Sequence, residues 1–153
     1  MLRKFPIRIF FRAAMLYKLL IMQDRILSLA KEFIRIPSVT GNSKKAACIL
    51  ELSKQYLSAF PFQDFFQNNN QSVLFTNKEA ATKQFTIILN AHLDVVPAKA
   101  EQFEPYEKDG KLYGRGTFDM KAAAAVLLDM FKEIGPKVRY PLGLQLVTDE
   151  EIG

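Results

Sequence analysis

The sequence predicts an α/β layered domain, and two observations carry that expectation. Two apolar runs, at 85–91 (with β-branched residues) and 142–148, alternate with segments of helical periodicity. Acidic and imidazole groups gather where these elements end, as they do around ligand sites at the carboxyl ends of strands. Hydrophobic residues make up 49% of the 153-residue chain, enough for a packed core and too many for a disordered one. Strands alternating with helices imply a largely parallel sheet.

The elements follow in order. Residues 1–22 read as a basic, apolar leader: Arg3, Lys4, Arg8, Arg12 and Lys18 all precede the first acidic residue, Asp24. The formal net charge of +5 therefore belongs to this segment, and no nucleic-acid partner is expected. Its apolar runs are too short to span a bilayer, and no clean signal-peptide cleavage site follows them. A transit peptide, a surface-lying amphipathic helix and a translation start at Met22 are the readings left open; membrane contact through residues 1–21 is not favoured. The domain proper is assigned to residues 23–153.

From 24 to 36, Ile26, Leu27, Ala30, Phe33 and Ile34 recur at helical spacing until Pro37 stops the helix. PSVTGN at 37–42 is a loop, and Asn42 or Ser43 caps a second helix running to about Phe60, with Ile49, Leu52 and Tyr56 on one face. Cys48, the single cysteine, falls in that helix and reads as a small buried apolar residue. No intrachain disulfide is available, so a reducing, cytoplasmic setting is the simplest expectation. NNNQ at 68–71 is a turn before a short strand at 72–76. The run FTIILNA at 85–91 suits a strand covered on both faces. YEKDGKLY at 106–113 is a hairpin turning at Asp109-Gly110. Residues 119–134 form an alanine-rich helix stopped by Gly135-Pro136, and LGLQLVT at 142–148 is a second interior strand.

Three segments carry chemistry. In HLDVVP, His92 is the only histidine, and Asp94 two residues later shares its side of an extended chain. A carboxylate there fixes the tautomer of a metal-bound imidazole, or simply satisfies a core histidine. In GRGTFDMKAA, Gly114 and Gly116 permit unusual backbone angles and Asp119 stands at a helix start, as a ligand or as an ordinary cap. In TDEEIG, Asp149, Glu150 and Glu151 crowd negative charge that solvent or a cation must offset. A histidine, an aspartate and a pair of glutamates at successive element ends are what a carboxylate-rich two-metal site requires.

HLDVVP, DGKLYGRGTFDMKAA and TDEEIG, in that order and with IRIPSVTG ahead of them, resemble the M20 family of metallopeptidases and deacylases, such as acetylornithine deacetylase, succinyl-diaminopimelate desuccinylase and carboxypeptidase G2-like enzymes. The resemblance covers residues 23–153. It implies a layered α/β/α zinc-peptidase-like catalytic domain, incomplete and without the family's lid domain. It implies amide hydrolysis of N-acyl amino acids or short peptides with two Zn2+, or Co2+, in the complete enzyme. His92 would bind one ion, Asp119 would bridge both and be followed by a cis peptide bond, and Glu151 would bind the second. Glu150 would be the general base, and Asp94 would orient His92. The family's further acidic ligand and second histidine have no counterpart here. The segment alone is therefore expected to bind metal weakly and to turn over little, with a homodimer conceivable only for a full-length protein. The alternative is a short non-catalytic protein that binds a partner or a single metal.

Overall fold

The computed structural model describes the backbone of residues 7–78 and 84–152, and side chains from residue 17 onward within those ranges. Expectations for residues 1–6 lie outside the described residues. Three helices are described: α1 (Ile7–Arg35), α2 (Ser43–Tyr56) and α3 (Ala122–Ile134). The strands are β1 (Phe62–Gln67), β2 (Asn70–Thr76), β3 (Ile87–His92), β4 (Tyr106–Lys108), β5 (Lys111–Tyr113) and β6 (Leu142–Val147). A four-stranded sheet has the order β1-β2-β6-β3, and β4 and β5 form a separate hairpin.

The sheet is mixed rather than largely parallel. Only β3 and β6 run parallel, while β2 is antiparallel to both β1 and β6. The parallel pair needs a crossover, and α3 supplies it. β1 is an element the sequence pattern does not predict: FQDFFQ pairs with β2 across a turn in which Asn68 and Asn69 take positive φ. All of β1 is exposed, so burial leaves no alternation from which to read it.

The core forms on one face of the sheet. Leu142, Leu144 and Leu146 alternate along β6 and lie beside Val73 and Phe75 of β2. Against them pack Leu29, Ala30 and Phe33 of α1, Ile49 and Leu50 of α2, and Ala124, Leu128 and Phe131 of α3. Each buried Leu, Ile, Val or Phe among them contributes about 1.5–3 kcal/mol relative to exposure. β3 differs from the expected doubly covered strand: it is an edge strand here, with Ile87 43% and Ile88 48% exposed and burial only at Ala91 and His92.

Other boundaries shift for local reasons. α1 runs unbroken through Met22, so no helix start marks that position. α2 ends at Tyr56, where Leu57 leaves helical geometry, rather than near Phe60; Asn42 caps its start by accepting from the Lys45 N–H. Cys48 is exposed, not buried, because Ala46, Ile49 and Leu50 take the inward positions of the helix. The hairpin turns at Asp109-Gly110 as its composition requires. Among the described residues no helix is long and apolar enough to cross a membrane.

Candidate metal centre

β3 and β6 end together, with His92 opposite Val147, and the Leu93 N–H donates to the Val147 carbonyl at 2.9 Å. Residues 92–94 and 148–152 therefore leave the sheet side by side at the carboxyl ends of the parallel strands, where α/β sheets place ligands. His92 is 6% exposed. Its Nε2 lies 3.0 Å from Asp119 Oδ1 and 3.7 Å from Glu150 Oε2. Its Nδ1 lies 3.2 Å from the Asp94 main-chain oxygen and 3.5 Å from Asp94 Oδ1.

Asp119 reaches the site on a kinked segment rather than as a cap. Asp119 and Met120 are non-helical, regular helix begins at Ala122, and the Asp119-Met120 peptide bond is cis, as the resemblance implied. Gly116 makes the kink possible: its φ is +81°, and a Cβ there would lie 2.8 Å from Val95 Cγ1. The Gly116 carbonyl accepts from the Lys121 N–H at 2.8 Å. The Lys121 side chain is fully buried, and its Nζ donates to the carbonyls of Phe33 (2.9 Å) and Ile36 (2.7 Å) at the end of α1. Burial pushes this ammonium down to about 7, against the opposing pull of the Asp94 charge.

Glu150 and Glu151 sit on a 3-10 turn, Glu150–Ile152, rather than on the strand end itself. The Glu151 N–H donates to Asp94 Oδ2 at 3.1 Å, and Thr40 Oγ1 donates to the same oxygen at 2.7 Å. Asp94 is 1% exposed, and its Oδ1 is buried without a hydrogen-bond partner.

Among the described residues, one group of metal-ligating side chains converges. His92, Asp119 and Glu151 each offer one atom, and these atoms lie within 4.8 Å of one another. One imidazole nitrogen and two carboxylates suit a zinc-like divalent ion. The donor set fits such an ion on a second count: the unpartnered Asp94 oxygen lies behind the Nδ1 of a histidine whose Nε2 faces the carboxylates. Burial alone would push the His92 imidazole down. The Asp119 hydrogen bond, the Asp94 carbonyl and the charges of Asp94 and Glu150 outweigh it and hold the group above its ordinary value.

All five residues singled out from the sequence come together: His92, Asp94, Asp119, Glu150 and Glu151. Sequence reasoning missed Thr40 and Lys121. Thr40 lies in a segment that reads only as a loop, although Ser38 and Thr40 share the two-residue period of an extended chain. Lys121 carries no signal, since lysine at a helix start reads as solvated.

Residues 88–153 match the family model for peptidase family M20/M25/M40. The chain is 29% identical over 148 residues to aminoacylase-1 of Dictyostelium discoideum, an alignment covering 87% of this chain and 35% of that protein. It is 34% identical over 131 residues to a succinyl-diaminopimelate desuccinylase of Nitratiruptor sp., covering 82% and 34%. Its fold is similar to that of human carnosine dipeptidase 1, with a TM-score of 0.65 at 20% identity over 87% of this chain and 33% of that one. An M20 family metallo-carboxypeptidase from Sulfolobus solfataricus gives a TM-score of 0.63 at 20% identity, covering 82% and 30%. The chain spans about a third of the length of the curated relatives it matches.

Proposed function

The chain belongs to the M20 peptidase family, and on that basis we propose that it supplies part of the centre of a metal-dependent hydrolase cleaving the amide bond of an N-acyl amino acid or short peptide. The observation that carries this reading is the convergence of His92, Asp119 and Glu151 from three separate segments onto one point. N-acyl amino acids are the first substrates to test, because the relatives' names specify acyl-amino-acid hydrolysis.

In this reading His92, Asp119 and Glu151 would hold the zinc or cobalt, with Asp119 shared if two ions bind. Bound metal supplies Lewis acidity and lowers the pKa of water. Glu150 stands at the rim, its side chain 60% exposed and 3.7 Å from His92, where a carboxylate can take a proton from water and return it to the leaving nitrogen. Asp94 keeps the His92 ring in place from behind. These residues give each ion the shared Asp119 and one further ligand, fewer than the three or four zinc sites use. The remaining ligands are assigned to the part of the relatives' length that this chain does not span.

Calorimetric titration of the chain with Zn2+ tests the reading. Wild type is expected to bind at least about tenfold more tightly than His92→Ala or Glu151→Gln. Equal affinity in all three sinks it. Release of acetate or succinate from N-acyl amino acids is then measured in the longest form of the protein that is expressed.

A further inference from the structure

The loop between α1 and α2 is tied to the metal centre at both its backbone and its side chains. Val39 forms a parallel bridge with Val95. The Val95 N–H donates to the Ser38 carbonyl at 3.0 Å, and the Thr40 N–H donates to the Val95 carbonyl at 3.2 Å. Ser38 Oγ donates to the Leu93 carbonyl at 2.6 Å. Residues 38–40 thus lie as a short extra strand along 93–95, with the hydroxyl of Thr40 brought against the Asp94 carboxylate at 2.7 Å.

The Asp94 carboxylate has two different ends. Oδ2 takes both donors, the Thr40 hydroxyl and the Glu151 N–H. Oδ1 takes none and lies 3.5 Å from His92 Nδ1. A buried carboxylate with one free acceptor will rotate to satisfy it unless the other oxygen is held. Two donors on Oδ2 hold it, and of the two only Thr40 acts through a side chain that can be changed.

Resting on the hydrolase reading above, we propose that Thr40 is a positioning residue: it pins Asp94 Oδ2, so that Oδ1 stays behind His92 Nδ1 and Nε2 remains the nitrogen presented to Asp119 and the metal. Thr40 touches neither metal nor substrate in this arrangement. Its effect passes through Asp94 to the imidazole, as an outer hydrogen bond tunes a ligating histidine.

Because His92 is the only histidine, its ring gives one set of 15N resonances, and these report the tautomer directly. The experiment compares the metal-free chain with Thr40→Val, Thr40→Ala and Thr40→Ser, all checked for folding by circular dichroism. Wild type and Thr40→Ser are expected to show a single ring state, with Nδ1–H facing the Asp94 main-chain oxygen (3.2 Å) and Oδ1 (3.5 Å) while Nε2 donates to Asp119 Oδ1 at 3.0 Å until metal displaces its proton. Thr40→Val and Thr40→Ala are expected to shift and broaden the Nδ1 resonance as Oδ1 leaves its place behind the ring, and to bind Zn2+ roughly tenfold more weakly. The proposal is overturned if both hydroxyl-free variants keep the wild-type ring resonances and bind Zn2+ within twofold of wild type, whatever their melting temperature. It is also overturned if Thr40→Ser behaves like Thr40→Val. A wild-type chain that binds no Zn2+ while the ring resonances of the hydroxyl-free variants shift as expected would fault the hydrolase reading and leave the positioning role standing.

Discussion

Two aspartates are buried among the described residues, and they are satisfied in opposite ways. Asp129, fully buried on α3, accepts from Arg25 Nε at 3.0 Å, Arg25 Nη2 at 3.1 Å and the Tyr56 hydroxyl at 2.5 Å, so both oxygens are engaged. Asp94 has both its donors on one oxygen and leaves the other empty. The first carboxylate closes on itself and ties α1, α2 and α3 together. The second is left half open beside the one imidazole. A buried acceptor without a partner costs free energy in the folded protein, and this one lies beside His92 Nδ1, where the proposed positioning of the ring makes use of it.

The Asp129 network also perturbs its neighbours. Its hydrogen bonds hold the Arg25 guanidinium above its ordinary value, and burial, then the Asp129 contact, pushes the Tyr56 hydroxyl up. The largest expected effect comes from breaking it. Asp129→Ala leaves Tyr56 without its partner and Arg25 with only Glu133, and should lower unfolding free energy by roughly 3 kcal/mol, toward the low end for a buried pair, because Arg25 is 38% exposed and regains water. Urea denaturation measures this; a loss below about 1 kcal/mol would remove the contrast with Asp94. Zn2+ affinity of the refolded variant should be unchanged.

Asp94→Asn should do the reverse. Zn2+ affinity should fall roughly 10–100-fold, while the urea midpoint moves less than in Asp129→Ala. If the midpoint falls as far as in Asp129→Ala, the two carboxylates are the same kind of group. Gly116→Ala sharpens the comparison from the backbone side. A side chain at φ +81° meeting Val95 should cost about 1–2 kcal/mol and weaken Zn2+ binding together, since the kink carries Asp119. A stability loss with unchanged affinity would show that the kink does not set the ligand.

The smallest effect is at the exposed end of the structural network. The hydrogen bond from Arg25 holds the Glu133 carboxyl below its ordinary 4.5, with burial opposing and the Lys18, Arg25 and Lys137 charges assisting. A carboxyl with a depressed folded value adds stability above its unfolded value, and that stability is lost as pH falls through the folded one. Wild type should therefore lose slightly more melting temperature than Glu133→Gln between about pH 5 and pH 3. Parallel curves for the two would show that Glu133 adds nothing to the network.

Much of the fold is legible in the sequence, and the five residues it singles out do lie near one another in the structure. The hairpin at Asp109-Gly110 and the strand Leu142–Val147 announce themselves through turn chemistry and an apolar run. The Asn42 cap is equally local. A helix start near residue 24, a doubly covered β3 and a buried Cys48 are expected from the pattern and absent from the fold, because each depends on what packs beside the element. β1 escapes sequence reading because a wholly exposed strand carries no burial pattern.

What the sequence by itself determined is the chemistry: which side chains can bind metal or move a proton, and in what order they come along the chain. Only the tertiary structure decided how they are held. Thr40 lies 54 residues from Asp94, and Lys121 lies 88 and 85 residues from the carbonyls it caps. Periodicity and turn preference act over a few residues, whereas these hydrogen bonds exist only once helix, loop and sheet have packed.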